Sequence, residues 1–128
     1  MRILLDTHIM LWALTDDRRL GRDARKLVAD PGNAVSVSAA SVWEIAIKRA
    51  LGRSGIPFAA TAALDYCSQA GYQLLAVRPE HAAAVETLPK LHGDPFDRML
   101  VAQALTEPMH LITHDRMLAG YSETIKIV

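Results

Sequence analysis

Strand-length apolar runs alternate with helix-length segments from one end of this chain to the other, and that alternation leaves few folds open. Arg2–Leu5 reads as a short buried strand, followed by a helix over residues 9–14. A second helix, Arg22–Ala29, is stopped by Asp30-Pro31-Gly32. Residues 34–37 read as strand two, and a third helix runs to about Leu51, where Gly52 supplies a stop. Pro57 is expected to open the next helix as a first-turn proline, and Gly71 to close it. Residues 73–77 read as strand three and 80–88 as a short helix. Asp94-Pro95-Phe96-Asp97 starts a helix that ends before Pro108, His110–Thr113 is strand four, a helical turn follows Asp115, and residues 124–127 form a last strand. Strands separated by helices need crossover connections. The expected architecture is therefore α/β, with a mainly parallel sheet covered on both faces.

The chain has 128 residues, enough for one domain over 1–128 with a proper core, and 51% of them are hydrophobic, which argues against disorder. No repeat or linker interrupts it. Its apolar stretches are too short to cross a bilayer, and it begins on a strand-like run instead of a signal-peptide pattern. With a lone Cys67, expected to pack into a helix face, the expected compartment is the reducing cytoplasm. Fourteen basic and fourteen acidic residues cancel, which speaks against coating nucleic acid through general basicity. Local basic clusters remain, at Lys48, Arg49 and Arg53 and at Arg18, Arg19, Arg22, Arg25 and Lys26.

Four acids carry the functional signal. Asp6 closes the run Ile3-Leu4-Leu5, Asp115 follows Leu111-Ile112-Thr113, and Glu44 and Asp97 lie near the fronts of apolar helices. Each has an ordinary explanation. Asp6 and Asp115 suit helix N-caps, Glu44 stands at capping-box spacing from Ser41 and four before Lys48, and Asp97 sits in a first turn after Asp94. Taken together they ask for more, because in a parallel sheet all four positions fall beyond the carboxyl ends of the strands, where ligands bind. Four carboxylates about 5 Å apart repel by roughly 3 kcal/mol per pair at an effective dielectric near 20. Capping worth about 1 kcal/mol each does not offset that, whereas a cation does. Without one, raised carboxylate pKa values are expected. An oxygen-only set, with no Cys or His at a metal-binding spacing, prefers Mg²⁺ or Mn²⁺ over Zn²⁺. His8 and His114 adjoin Asp6 and Asp115 but are expected to point elsewhere. Thr7 and Thr113 are candidates to orient the carboxylates.

Leu4-Leu5-Asp6-Thr7-His8, Ser41-Val42-Trp43-Glu44-Ile45-Ala46-Ile47-Lys48, the block from His92-Gly93-Asp94-Pro95-Phe96-Asp97-Arg98 to Ala104, and Ile112-Thr113-His114-Asp115 resemble, in this order and spacing, the PIN-domain nucleases. Within them the likeness is to VapC-type toxins of toxin–antitoxin pairs. The resemblance implies a three-layer α/β/α sandwich and a metal-dependent endoribonuclease acting on a narrow set of structured RNAs of tRNA or rRNA class. Asp6, Glu44, Asp97 and Asp115 match the family's acidic quartet, with Asp94 better suited to cap the helix. The resemblance also implies a homodimer and a small antitoxin whose C-terminal segment covers the acidic groove. Gly93 departs from the basic residue frequent there in similar toxins, which bears on RNA contacts and leaves the metal site untouched.

In that chemistry Asp6 and Asp97 are the expected main metal ligands, Asp115 assists, and Glu44 reaches a second ion or positions the attacking water. The resemblance favours in-line attack by water, leaving 5′-phosphate and 3′-hydroxyl ends. Lys48, Arg49 and Arg98 are candidate phosphate contacts. Trp12 and Trp43, within apolar helix patterns, suit core or dimer packing better than base stacking. Two other classes compete. A signalling receiver would need an Asp after a central strand and a Lys after a late one, and the strands here end otherwise. A non-catalytic interaction domain would not need the quartet intact. A nuclease acting on DNA remains open on sequence.

Overall fold

The computed structural model describes residues 1–52 and 55–128; Arg53 of the first basic cluster lies outside them. Five strands, β1 (Arg2–Leu5), β2 (Ala34–Ser38), β3 (Gln73–Leu75), β4 (His110–Thr113) and β5 (Ile125–Ile127), form one sheet in the order β3-β2-β1-β4-β5, every neighbouring pair parallel. Strand side chains alternate between faces, and here both faces are apolar. Ile3, Leu5, Val35, Val37 and Ile112 enter one core, while Leu4 and Leu111 enter the other.

Helices α1 (Thr7–Thr15), α2 (Arg22–Ala29), α3 (Ala39–Ala50) and α4 (Ala60–Gln69) cover the first core, through Ile9, Ala24, Ile45 and Cys67 among others. Helices α5 (Pro79–Ala84) and α6 (Pro95–Thr106), with a 3-10 segment at Arg116–Tyr121, cover the second through Leu100, Val101 and Leu118. The result is a three-layer α/β/α sandwich. The chain steps outward from β1 to β2 to β3 with its helices on one face, then returns to β4 on the far side of β1 with its helices on the other. Crossovers of one hand require that change of face. The reversal leaves a crevice beyond the carboxyl ends of β1 and β4.

Several boundaries differ from the sequence expectation. The first helix starts at Thr7, directly after β1, because Asp6 caps it at once, accepting the His8 N–H. Pro57 does not open α4, which begins at Ala60. Phe58 instead turns its ring against Tyr66 within the helix, with centroids 5.1 Å apart, and Ala59 is the N-cap. Strand three stops at Leu75, where the next carbonyl, of Ala76, is taken by Gln103. The expected helix over 80–88 is α5 followed by a 3-10 turn, Val85–Thr87, whose neighbourhood is set by Arg98 bonding to the carbonyls of Val85, Leu88 and Pro89. Gly52 and Gly71 stand at the expected stops with φ of 68° and 80°. Among the described residues no helix is long and apolar enough to cross a membrane.

Candidate active site

β1 and β4 are hydrogen-bonded neighbours, with Leu5 opposite Ile112, so the residues that follow them are delivered to one place. Asp6 is buried and held from three directions. Its N–H donates to Ile112 O at 3.0 Å, its Oδ1 accepts His8 N at 2.7 Å, and its Oδ2 accepts the Thr113 hydroxyl at 2.6 Å. The same Thr113 oxygen accepts Asp115 N at 3.1 Å, tying the two strand ends together. Asp115 caps the 3-10 segment, Oδ1 accepting Met117 N at 3.0 Å, and turns Oδ2 toward His92 Nε2 at 2.7 Å. Capping and convergence are thus properties of the same carboxylates.

Glu44 reaches this edge from α3. Its Oε1 accepts from Thr7 Oγ1 at 2.8 Å, and its Oε2 pairs with Lys48 one helical turn on. Thr7 Oγ1 also lies 2.9 Å from Ser41 Oγ. A hydroxyl has one proton, so Thr7 donates to the carboxylate and accepts from Ser41. The expected capping box from Ser41 to Glu44 is therefore not formed. The cap of α3 is Ser38, three residues earlier, which accepts Ala40 N at 3.0 Å.

Asp97 stands in the first turn of α6, whose N-cap is Asp94, with Oδ1 accepting from Phe96 N and Asp97 N. Its own carboxylate receives no hydrogen bond from the described residues, and His92 Nε2 is 3.6 Å away. Burial pushes the Asp97 pKa from 3.8 to about 7, reinforced by the charges of Asp94, Asp6 and Glu44 and partly opposed by His92. Raised carboxylate affinity for protons was expected from crowding of like charge; at Asp97 desolvation is the larger cause. Lys48 is moved in the other sense. Burial lowers its pKa, but the Glu44 partner and the fields of Asp94 and Asp97 more than restore it, and the net shift is upward.

One set of three donors among the described residues lies within 4.8 Å of one another, close enough to share an ion: His92, Asp97 and Asp115. His92 joins this set although no His stands at a metal-binding spacing in the sequence. His92 lies in the loop before α6, outside any periodic pattern. The available signal was its place two residues before the capping Asp94, whose N–H it accepts at Nδ1, 3.0 Å away. Asp6 and Glu44 stand outside this set of three but act on Asp97 through their charge. His8 is exposed, with Nδ1 3.9 Å from Asp6, and His114 Nδ1 turns to Val128 O at 2.7 Å.

The family model of the PIN domain matches residues 3–123. The chain belongs to the PIN domain family. Ribonuclease VapC22 of Mycobacterium tuberculosis (strain ATCC 25618 / H37Rv) is 27% identical over 120 residues, covering 93% of this chain and 91% of that protein. In fold, this PIN domain is similar to the crystal structure of VapBC2 from Rickettsia felis bound to a DNA fragment from their promoter, with a TM-score of 0.71 at 16% identity over 100% of this chain and 98% of the other. It is likewise similar to VapBC-1 from nontypeable Haemophilus influenzae, with a TM-score of 0.65 at 18% identity over 100% and 97% of the two chains.

Around the acidic centre of this PIN domain the basic candidates differ in their freedom. Arg98 is fully engaged in the fold, donating to three carbonyls and to Tyr121 Oη. Arg49 reaches back to Ile56 O at 2.6 Å, and Lys48 stays beside Glu44. A groove of about 880 Å³ runs from Glu44 and Lys48 past Thr7 and Trp12 to Ile56. Trp12 is buried, with the Arg19 guanidinium 5.2 Å from its ring, and belongs to the core as expected. Trp43 does not. It is 62% exposed on α3, edge-on to Phe96, and borders an apolar groove of about 660 Å³ with Val77, Val85 and Met99. Cys67 is buried in the core, and burial pushes its thiol pKa up.

Proposed function

We propose that this chain is the ribonuclease toxin of a VapC-type toxin–antitoxin pair, a Mg²⁺- or Mn²⁺-dependent endoribonuclease that cuts structured RNA of tRNA or rRNA class by attack of water on a phosphodiester. The observation that carries this reading is Asp97. It is an acid pushed to about 7, without a hydrogen-bond donor among the described residues, crowded by Asp6, Asp94 and Glu44 at the strand switch. Such a group is uncomfortable by itself and comfortable beside a dication. Family membership and the ribonuclease name of the M. tuberculosis relative support the same reading.

The donors fit a hard cation, because Asp97 and Asp115 offer carboxylate oxygens within 4.8 Å of one another, Asp6 adds its charge beside them, and the lone Cys67 is buried in the core. Bound there, Mg²⁺ or Mn²⁺ would supply positive charge to the phosphate and acidify a water. The chain does the rest. Asp97 and Asp115 would hold the ion, Asp6 is kept in place by Thr113, and Glu44, fixed by Thr7, is set to orient the attacking water or take a second ion. Lys48 and Arg49, on the helix that carries Glu44, lend charge to the RNA backbone. The partners in this reading are a small antitoxin across the acidic groove, in keeping with the fold's likeness to VapBC2 and VapBC-1, and a second copy of the chain. Its setting is the cytoplasm.

The test compares cleavage of structured RNA, single-stranded RNA and DNA in Mg²⁺ or Mn²⁺ by the wild type, Asp6→Asn and Asp97→Asn. Structured RNA cut only by the wild type, and only with metal, is the expected result. Preferential cutting of DNA would redirect the assignment. Inertness toward all three substrates would favour a non-catalytic interaction domain, and activity surviving in both variants would remove the assigned site.

A further inference from the structure

We propose that His92 is a positioning residue of the cation site and not one of its ligands, an inference that rests on the metal-dependent reading above. By distance alone its Nε2 could join Asp97 and Asp115 around an ion. Its hydrogen bonds assign it another part. Nδ1 accepts the Asp94 N–H at 3.0 Å, so the lone pair on that nitrogen is in use. A neutral imidazole carries one proton, which must then sit on Nε2, where it is directed at Asp115 Oδ2 at 2.7 Å, with Asp97 Oδ2 at 3.6 Å. Ligation through Nε2 would require the proton to move to Nδ1 and face the Asp94 N–H, donor against donor.

The surroundings do not let that conflict relax. Asp94 is the N-cap of α6, fixed by Phe96 N and Asp97 N, so its own N–H cannot swing away without undoing the helix start. On the other side the His92 N–H donates to Tyr121 Oη at 3.0 Å, and Arg98 donates to that same oxygen at 3.2 Å. The ring is mostly buried. Asp115 is consequently held from two sides, Met117 N at Oδ1 and His92 at Oδ2. A carboxylate has about four lone-pair sites, so two remain for a cation. His81 repeats the geometry far from the crevice. Its Nδ1 accepts Arg78 N at 3.0 Å and its Nε2 meets Glu107 Oε2 at 2.6 Å, in a cluster where no ion is called for. The chain thus uses this arrangement elsewhere simply to present an N–H to a carboxylate. At the active site it keeps the ligand set purely oxygen and selects for hard cations.

The experiment uses the whole chain with Mn²⁺ as the probe. Pulsed electron paramagnetic resonance reads directly bonded nitrogen, and titration calorimetry reads affinity, for the wild type, His92→Gln and His92→Ala, with thermal unfolding as the control for folding. The expected result is Mn²⁺ bound without a directly coordinated ¹⁴N. His92→Gln, whose amide nitrogen can replace the Nε2–H donor, should stay within about threefold of wild-type affinity, and His92→Ala should be weaker by about 10- to 100-fold. A strong ¹⁴N coupling that vanishes in His92→Ala would make His92 a ligand, overturning this proposal while leaving metal dependence intact. Unchanged affinity in His92→Ala would likewise overturn it. Failure of the wild type to bind Mn²⁺ at all would remove the metal reading and this inference together.

Discussion

At the C-terminal end of α6, His81 presents Nε2 to one carboxylate, Glu107; at the N-terminal end, His92 presents Nε2 to Asp115 with Asp97 close by. The local hydrogen bonding is nearly the same, but the charge balance is not. Around His81 the accounts close: Arg2 stands 3.7 Å from the other Glu107 oxygen, and Gln103 reaches Ser38 and the Ala76 carbonyl. Around His92, Asp97 feels Asp94, Asp6 and Glu44 together, and Lys48 is committed to Glu44. A buried polar cluster that satisfies itself is architecture. One that leaves carboxylates uncompensated, at the place where the sheet changes direction, suits the cation of the proposed function.

The sharpest way to break the comparison is to remove one carboxylate. Asp97→Asn should lower the single-turnover rate of RNA cleavage by about 10³-fold, equivalent to about 4 kcal/mol, with the fold intact by circular dichroism. Next comes pH. With its folded pKa near 7 against 3.8 for the free group, Asp97 binds more protons folded than unfolded between those values. Its contribution to stability is therefore complete below about pH 4 and lost as pH rises toward about 7. At about 1.4 kcal/mol per unit, this amounts to roughly 4 kcal/mol in metal-free protein, measurable by urea unfolding across that range. Asp97→Asn should abolish most of that slope.

His81→Ala tests the other end. It empties a buried ring site and strands Glu107, so unfolding free energy should fall by about 2–3 kcal/mol, with cleavage per folded molecule within about twofold of wild type. The smallest effect belongs to Thr113→Val, which removes the hydroxyl shared by Asp6 and Asp115. Mn²⁺ affinity should weaken by about tenfold in calorimetry, with Thr113→Ser restoring most of it.

Much of this was legible in the order of residues. Ile3-Leu4-Leu5 and Leu111-Ile112 are apolar without alternation, which is how a strand buried on both faces reads, and the acids that follow them mark strand ends by position. Asp94-Pro95 announces α6 because a capping acid and a first-turn proline are local chemistry. What stayed hidden depends on tertiary contact. Pro57 carries a valid local helix signal, yet α4 begins at Ala60 and Phe58 packs on Tyr66. Ser41 has the spacing of a cap, yet its hydroxyl meets Thr7 from another element. Trp43 fits an apolar helix pattern and still lies outside the core, since no periodicity distinguishes a face that meets the core from one left open. His92 was missed because loop geometry, set by Asp94 and Tyr121, has no period to read.

Thermal unfolding at pH 7.5, with chelator or with saturating Mn²⁺, bears most directly on the claim that these carboxylates are held in tension for a cation. At 100 times its dissociation constant the metal stabilises by about 2.7 kcal/mol, which for a chain this size is a rise of roughly 10 °C for the wild type. Asp97→Asn should melt at or above the wild type in chelator and gain far less from Mn²⁺. A variant that melts lower in chelator, beside a wild type indifferent to Mn²⁺, would mean the acids are already satisfied and would contradict the account.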